Sequence, residues 1–214
     1  MLRLLPYLRR GMAVVNVEYR LARQALAPAA VADCRCALRW VIANAERYGF
    51  DTEKIAVTGH SAGGHLSLTT GMLPRSAGLD FECSAGSPDL DLKVAAIVNW
   101  YGITMVGDLS EGKNQKSYAV RWLGSLPNRY EVAKRVSPFF YTQEKLPPIL
   151  TIHGDADPTV PYEHAVKLHE LLDRDGKKNQ LYTVKGGRHG GFSGEEMIRI
   201  DGVIEDFLKE AGVL

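Results

Sequence analysis

The sequence predicts an α/β protein in which a mostly parallel sheet of about five strands is covered by helices on both sides, giving three layers. Short apolar runs alternate with longer amphipathic stretches along the 214 residues. The runs are apolar at nearly every position, which is typical of strands buried on both faces. One section, residues 102–148, breaks this alternation with short helical fragments. We therefore expect one domain over residues 1–214, with a small helical insertion at 102–148.

The predicted elements follow in order along the chain. The strands are residues 12–18, 55–58, 94–99, 149–153 and 181–184. Apolar residues at helical spacing predict helices from Pro28 to near Gly49, from Ser61 onward, over 162–173 and over 195–211. The segments "SYAVRWLG" and "NRYEVAKRV" predict two short helices in the insertion. Because the insertion lies between two strands, we expect it over the carboxyl edge of the sheet, where α/β proteins bind ligands.

The charge balance argues against whole classes of partner. The chain has 26 Lys and Arg against 25 Asp and Glu, a net charge of +1. Without a block of like charges, there is no electrostatic reason to expect nucleic acid or an anionic membrane as partner. No segment is long enough to span a bilayer, and the first residues lack a signal-peptide cleavage pattern. We expect a soluble chain whose compartment stays open: cytoplasmic for this chain, secreted for a longer precursor.

The cysteines predict no disulfide. Cys34, Cys36 and Cys83 are an odd number, and the first two point to different faces of one predicted helix. We therefore expect all three to be free thiols.

The segment "VTGHSAGGHL", residues 57–66, contains the first candidate catalytic residue. It places Ser61 between Gly59 and Gly63, where a strand turns sharply into a helix, as in a nucleophile elbow. A G-x-S-x-G match arises by chance in roughly one chain of this length in fifteen, so a glycine-rich helix start is the alternative. A serine hydroxyl becomes a useful nucleophile only when a base accepts its proton and a third group orients that base.

Two later turns supply candidates for those partners. "ILTIHGDADPTVP" is a strand that runs into a turn with Asp155 and Asp157, and "LYTVKGGRHGGF" is a strand followed by His189. In a parallel sheet both turns emerge at the same edge as Ser61. The order Ser, Asp, His is that of the α/β-hydrolase triad.

The chain resembles, over its whole length, the small carboxylesterase branch of the α/β-hydrolase superfamily, near the acetylxylan and feruloyl esterase-like members. The segments "VVNVEYRLA", "GHSAGGHL", "NWYGIT", "HGDADPTVP" and "GGRHGGF" carry the resemblance. It implies that Ser61 is the nucleophile, Asp157 the acid, His189 the base and the backbone amide of Ala62 an oxyanion donor. Asp155 is the runner-up acid, with the capping of its own turn as its expected role.

The implied reaction is the hydrolysis of short-chain acyl esters, among them acetyl or feruloyl esters of plant polysaccharides, with no metal or other cofactor. The histidine pairs His60/His65 and His164/His169 are five residues apart rather than the four of a zinc-binding helix. Candidates for the substrate pocket are four aromatic residues for which core packing is the alternative: His60, Trp100, Tyr101 and Trp122.

One expected feature is missing from the 214 residues. Members of this branch carry an "HGGG"-like segment that supplies the second oxyanion donor, and its absence implies an N-terminally truncated fold without the first three strands. We expect residues 12–18 to pair directly with residues 55–58; the alternative is a homodimer across the open edge. We also expect reduced activity, because losing one oxyanion donor costs about 10²- to 10³-fold in turnover.

Two other functions remain as alternatives. A prolyl-oligopeptidase-type serine peptidase has the same elbow and triad order, although no propeller-like domain is present here. The second alternative is a catalytically silent hydrolase-fold protein.

Overall fold

The computed structural model describes residues 4–79, 83–87 and 89–214, in which four strands form one parallel sheet. The strands are β1 Ala56–His60, β2 Ala96–Trp100, β3 Ile149–Gly154 and β4 Asn179–Val184. They lie in sequence order, with His60 opposite Trp100 and Gly154 opposite Val184. Parallel strands in this register bring their carboxyl ends to one edge of the sheet.

Helices precede the first strand, connect the strands and follow the last one. Those of the described residues are α1 Leu5–Arg9, α2 Ala29–Ala43, α3 Ala45–Tyr48, α4 Ala62–Met72, α5 Ser117–Leu123, α6 Arg129–Arg135, α7 Glu163–Arg174 and α8 Gly194–Glu210. Gly49, in the left-handed conformation, ends α3 at the predicted position. Across the described ranges, no helix is both long and apolar enough to cross a bilayer.

The two faces of the sheet bury two separate hydrophobic cores, which gives the predicted three layers. On one face, Ile97 and Ile149 pack with apolar residues of α2, α4 and α7. On the other face, Val98 and Ile152 pack with apolar residues of α8, and Tyr7 of α1 lies against this second core. Successive strand residues alternate between the cores, so β2 and β3 are buried on both sides. This explains why most of their residues are apolar.

The prediction of a fifth strand at residues 12–18 is wrong, as is its pairing with residues 55–58. Residues 12–20 form neither helix nor strand, and among the described residues β1 pairs only with β2. The ends of this segment are tied to opposite layers: Arg10 bonds Glu205 of α8 at 2.9 Å, and Arg20 bonds Asp33 of α2 at 2.7 Å. Five of the nine residues between them are exposed, so water can hydrate the backbone without a partner strand.

The expectation of three free thiols is also wrong. Cys36 of α2 and Cys83 form a disulfide with 5.3 Å between their Cα atoms, whereas Cys34 is a free cysteine. The odd count of cysteines could not reveal this pair, because two of three can still bond. The bridge ties α2 to the segment that follows α4.

The insertion between β2 and β3 contains α5 and α6 and packs against the loop that follows β3. The hydroxyl of Tyr118 donates to the carbonyl oxygen of Thr159 at 2.9 Å, and Lys116 donates to that of Pro158 at 2.9 Å. These two contacts hold the loop that contains Asp157. The insertion therefore supports the edge of the sheet where the predicted site lies.

Candidate active site

Ser61 occupies a strained turn between β1 and α4. Its φ is +56° and its ψ is −114°, a conformation that costs a non-glycine residue on the order of 1–3 kcal/mol. Gly59 is required here, because a Cβ at this position would lie 2.3 Å from the carbonyl oxygen of Gly63. Gly63 itself is not, since a Cβ there would meet no atom within 4 Å. Only the first glycine of the motif therefore makes room for the turn.

A second close approach holds the start of α4 against the end of β2. A Cβ on Gly64 would lie 2.6 Å from Oδ1 of Asn99, and a Cβ on Gly102 would lie 2.5 Å from the carbonyl carbon of Gly64. Asn99 is fully buried, donates to Oγ1 of Thr151 and accepts from the N–H of Gly102 at 2.9 Å. The elbow is thus fixed by a buried amide and two glycines that the sequence argument did not use.

The three residues predicted as the triad lie together at the carboxyl edge of the sheet. Nε2 of His189 is 2.8 Å from Oγ of Ser61, and Nδ1 of His189 is 2.7 Å from Oδ2 of Asp157. The Asp157 side chain is fully buried, and that of His189 is 20% exposed. This arrangement leaves one side of the imidazole open to a ligand at Ser61.

Asp157 is surrounded by hydrogen-bond donors. Burial would raise the pKa of Asp157, but hydrogen bonds from His153, from His189 and from backbone amides outweigh burial and hold the pKa well below its usual range. The backbone donors are Thr159 at 2.7 Å and Val160 at 3.1 Å, both to Oδ1. Asp157 is therefore a carboxylate at neutral pH, as an orienting group for a histidine must be.

Asp155, the alternative acid, points elsewhere. Its Oδ1 accepts from the N–H of Gly186 at 2.6 Å, and its carboxylate lies 3.4 Å from Nζ of Lys185. Asp155 thus caps the neighbouring turn after β4 rather than its own turn, and the structure does not bring it to His189.

Ala62 begins α4, so its N–H has no acceptor within the helix and lies beside Ser61. Ala62 also lines a cavity of about 270 Å³ between α4 and the insertion. The cavity is mainly apolar, and its lining includes Leu66, Val106, Tyr118 and the predicted pocket residue Trp122. A ligand held at Ser61 can extend into this space.

The other three pocket candidates lie together at the ends of β1 and β2, beside His189. His60 stacks on Trp100 with 4.7 Å between ring centroids, and Tyr101 lies 4.7 Å from the ring of His189. With Gly190 they line a second cavity of about 220 Å³. Trp100 and Tyr101 are each only 4% exposed, so they belong to the core and to the cavity wall at once. Tyr101, like Ser61, has a positive φ, which is +41°.

Two buried histidines near the site have contacts that the sequence did not predict. His65 donates from Nδ1 to the carbonyl oxygen of Ile103 at 2.8 Å, which leaves Nε2 as an acceptor. Burial lowers the pKa of His65 to about 4. His153 lies behind Asp157. The only sequence signal for His153 was its position four residues before Asp157.

In the described part of the chain, no cluster of His, Cys, Asp or Glu side chains is suited to hold a metal ion.

A parallel sheet with a serine on a strained strand-to-helix turn, an aspartate after the third strand and a histidine after the fourth defines an α/β-hydrolase. The family model described as BD-FAE matches residues 3–172. The chain therefore belongs to the BD-FAE family.

Curated relatives of the chain are esterases. It is 30% identical to Esterase LipC of Mycobacterium tuberculosis over 86% of this chain and 46% of LipC. It is 27% identical to Esterase LipQ of the same organism over 92% of this chain and 48% of LipQ. The chain thus spans about half the length of these curated relatives.

Similar solved structures are also esterases. A truncated form of a carbohydrate esterase from gut microbiota superposes with a TM-score of 0.79 and 31% identity, covering 95% of this chain and 77% of that one. The propionate-bound esterase Est2 of Thermogutta terrifontis superposes with a TM-score of 0.75 and 28% identity, covering 92% and 71%. The predicted α/β-hydrolase fold is therefore confirmed.

Proposed function

We propose that this chain is a serine carboxylesterase that hydrolyses short-chain acyl esters through an acyl-enzyme. The observation that carries the proposal is the hydrogen-bonded series from Asp157 through His189 to Ser61, with distances of 2.7 and 2.8 Å. These are the contacts that a hydroxyl needs to lose its proton on attack. Membership of an esterase family supports the same reaction class.

In the proposed mechanism, Oγ of Ser61 attacks the ester carbonyl carbon while Nε2 of His189 accepts the hydroxyl proton. Asp157 keeps the proton of the neutral imidazole on Nδ1 and stabilises the imidazolium that forms. His189 then gives its Nε2 proton to the leaving alcohol. Water enters, loses a proton to Nε2 of His189 and attacks the acyl carbon. The bond from the acyl carbon to Oγ of Ser61 then breaks, the acid is released, and His189 returns the proton to Oγ.

The negative charge that develops on the carbonyl oxygen is stabilised by the N–H of Ala62 at the start of α4. This N–H is the oxyanion donor that we assign, and losing one such donor costs about 10²- to 10³-fold in turnover.

The positions of the two cavities support an assignment of the two halves of the ester. The leaving alcohol must lie at His189, and the cavity of about 220 Å³ is lined by Gly190, which follows His189, together with His60 and Trp100. The acyl group then extends past Ala62 into the apolar cavity of about 270 Å³. Aromatic walls on the alcohol side are compatible with a sugar ring.

We propose two substrate classes for this site: acetyl esters and feruloyl esters of plant polysaccharides. The likeness to a carbohydrate esterase supports the sugar alcohol. Est2 of Thermogutta terrifontis holds propionate in one structure and butyrate in another, which supports a short acyl group. The apolar volume beside Trp122 is large enough for the feruloyl group as well.

Hydrolysis of 4-nitrophenyl acetate, 4-nitrophenyl butyrate and methyl ferulate by the chain and by Ser61→Ala tests the proposal. We expect the chain to hydrolyse at least one ester and Ser61→Ala to hydrolyse none above background. Equal rates for the two proteins would exclude ester hydrolysis through Ser61.

A further inference from the structure

His153 is a fully buried histidine that lies directly behind Asp157. It is the penultimate residue of β3, and its side chain has no exposed surface. Its Nε2 atom lies 3.2 Å from Oδ2 of Asp157 and 3.2 Å from the carbonyl oxygen of Val160. His153 is therefore part of the wall that holds the carboxylate.

The contacts of His153 decide which of its nitrogen atoms donates. Both neighbours of Nε2 are hydrogen-bond acceptors, so we assign a proton to Nε2. The Nδ1 atom is buried and has no hydrogen-bond partner within the described ranges. His153 thus donates through Nε2, to Asp157 and to the carbonyl oxygen of Val160.

With His153 included, the Asp157 carboxylate has four donors, two on each oxygen. Oδ1 accepts from the backbone amides of Thr159 and Val160. Oδ2 accepts from Nδ1 of His189 at 2.7 Å and from Nε2 of His153 at 3.2 Å. The oxygen that faces the catalytic imidazole is therefore held from behind by a second imidazole.

Other titratable groups near this pair come from several elements. The rings of Tyr101 and Tyr162 pack edge-on against His153, with centroids 6.5 and 5.7 Å away. The remaining ones are His164 on α7, Tyr118 on α5 and His189. None of these side chains is a carboxylate, so Asp157 is the anionic group that the His153 proton meets.

We propose that His153 is a positioning residue for the triad: its Nε2–H holds Oδ2 of Asp157 in the orientation that receives the Nδ1 proton of His189. This inference rests on the proposed function of the triad. Without the His153 donor, Oδ2 keeps one hydrogen bond, and the carboxylate becomes more basic and less firmly oriented. His189 then holds its proton more strongly and presents Nε2 to Ser61 less often.

Three variants and one control test this role. His153→Gln keeps an amide donor at nearly the reach of Nε2, whereas His153→Asn is too short and His153→Phe has no donor. In His153→Phe and His153→Asn we expect kcat to fall about 10-fold with little change in KM, as for the loss of one hydrogen bond to a charged group. The acidic limb of kcat/KM should move to higher pH by about one unit, because His189 becomes more basic. His153→Gln should stay within about 3-fold of the wild type.

His169→Gln is the matched control, because His169 is also buried and donates from Nδ1 to Oδ1 of Asn179, away from the triad. It should leave the acidic limb in place. A second readout does not depend on turnover: the downfield proton NMR resonance of the hydrogen bond between His189 and Asp157. It should persist in His153→Gln and move upfield or broaden in His153→Asn and His153→Phe.

Several outcomes would overturn the role of His153. One is a folded His153→Asn or His153→Phe with the acidic limb and the resonance of the wild type. Another is a His153→Gln variant as impaired as His153→Phe, which would show that the donor is not what matters. The proposed esterase function is contradicted by a different result, namely a Ser61→Ala variant that hydrolyses ester as fast as the wild type. In that case the NMR comparison still tests the role of His153.

Discussion

Nε2 of His189 lies 2.8 Å from Oγ of Ser61, although 128 residues separate the two along the chain. The sheet creates this contact, because Ser61 follows β1 and His189 follows β4, and all strands end at the same edge. Asp157, after β3, completes the series. The alignment of parallel strand ends therefore accounts for the site, and each part of that account can be tested.

Replacing Asp157 by asparagine should lower kcat about 10³- to 10⁴-fold with a small effect on KM. The amide can donate to Nδ1 of His189, which stabilises the wrong tautomer, with the proton on Nε2 facing Ser61. Asp155→Asn is the control, because its oxygen can still accept from Gly186. We expect this control to retain activity within about 3-fold, and steady-state kinetics on 4-nitrophenyl acetate measures both. Comparable losses in the two variants would argue against Asp157 as the acid.

The two glycines of the elbow motif should respond oppositely to alanine. Gly59→Ala places a Cβ 2.3 Å from the carbonyl oxygen of Gly63, so the turn must shift, and we expect a loss of at least about 3 kcal/mol in the free energy of unfolding. Gly63→Ala meets no atom and gains helix propensity, so it should be neutral or stabilising by up to about 1 kcal/mol. Urea unfolding measures both. Similar destabilisation by the two changes would be inconsistent with this geometry.

The disulfide between Cys36 and Cys83 should contribute to stability through the unfolded chain. It closes a loop with a sequence separation of 47, for which the loss of chain entropy predicts about 4 kcal/mol. Dithiothreitol should therefore lower the Tm of the wild type and leave that of the double variant Cys36→Ser/Cys83→Ser unchanged. Cys34→Ser, which removes the free cysteine, should keep the sensitivity to reductant. A wild-type Tm that does not change on addition of dithiothreitol would mean that the disulfide does not form.

Stability should fall as the pH drops from about 6.5 to about 4, because His65 is buried in its neutral form. Its pKa is about 4 in the fold and 6.5 in the unfolded chain, so in this window only the unfolded chain binds the proton. Above pH 6.5 the effect vanishes, and at pH 4 it reaches about 3 kcal/mol. Burial also lowers the pKa of His164 and of His169, which adds to the same trend. Asp157, with its lowered pKa, contributes only below about pH 4.

Urea unfolding at several pH values, with the wild type and His65→Leu, measures this effect. The variant loses the hydrogen bond to Ile103, so it should be less stable near neutral pH, but its stability should depend less on pH. The same slope in both proteins would show that His65 is not buried in its neutral form.

Much of the fold could be predicted from the sequence because buried parallel strands leave a strong apolar signal. β2, β3 and α7 lie within two residues of their predicted bounds. Residues 12–18 are apolar enough for a strand, but strand formation needs a partner edge, which a pattern within one segment cannot reveal. The disulfide depends on contact between Cys83 and α2, which the pattern within one segment also cannot reveal.

The candidate site also contains residues that could be predicted from the sequence and residues that could not. The triad candidates could be found because a strand end, a turn and a characteristic residue coincide at each position. The roles of His153 and Asn99 could not be predicted, because each residue lies inside a mainly apolar strand. Each acts through contacts with segments that are distant in the sequence. The unequal roles of Gly59 and Gly63 likewise depend on where their Cβ atoms would point.

Covalent labelling of Ser61 by a fluorophosphonate is the most direct test of the account, because it requires an activated nucleophile but no turnover. Intact-protein and peptide mass spectrometry should find one phosphonyl group, on the peptide with Ser61, in the wild type. Ser61→Ala should remain unlabelled, and His189→Ala should react much more slowly because no base accepts the hydroxyl proton. An unlabelled wild type, or a Ser61→Ala variant labelled at the same rate, would contradict the assignment of Ser61 as the nucleophile.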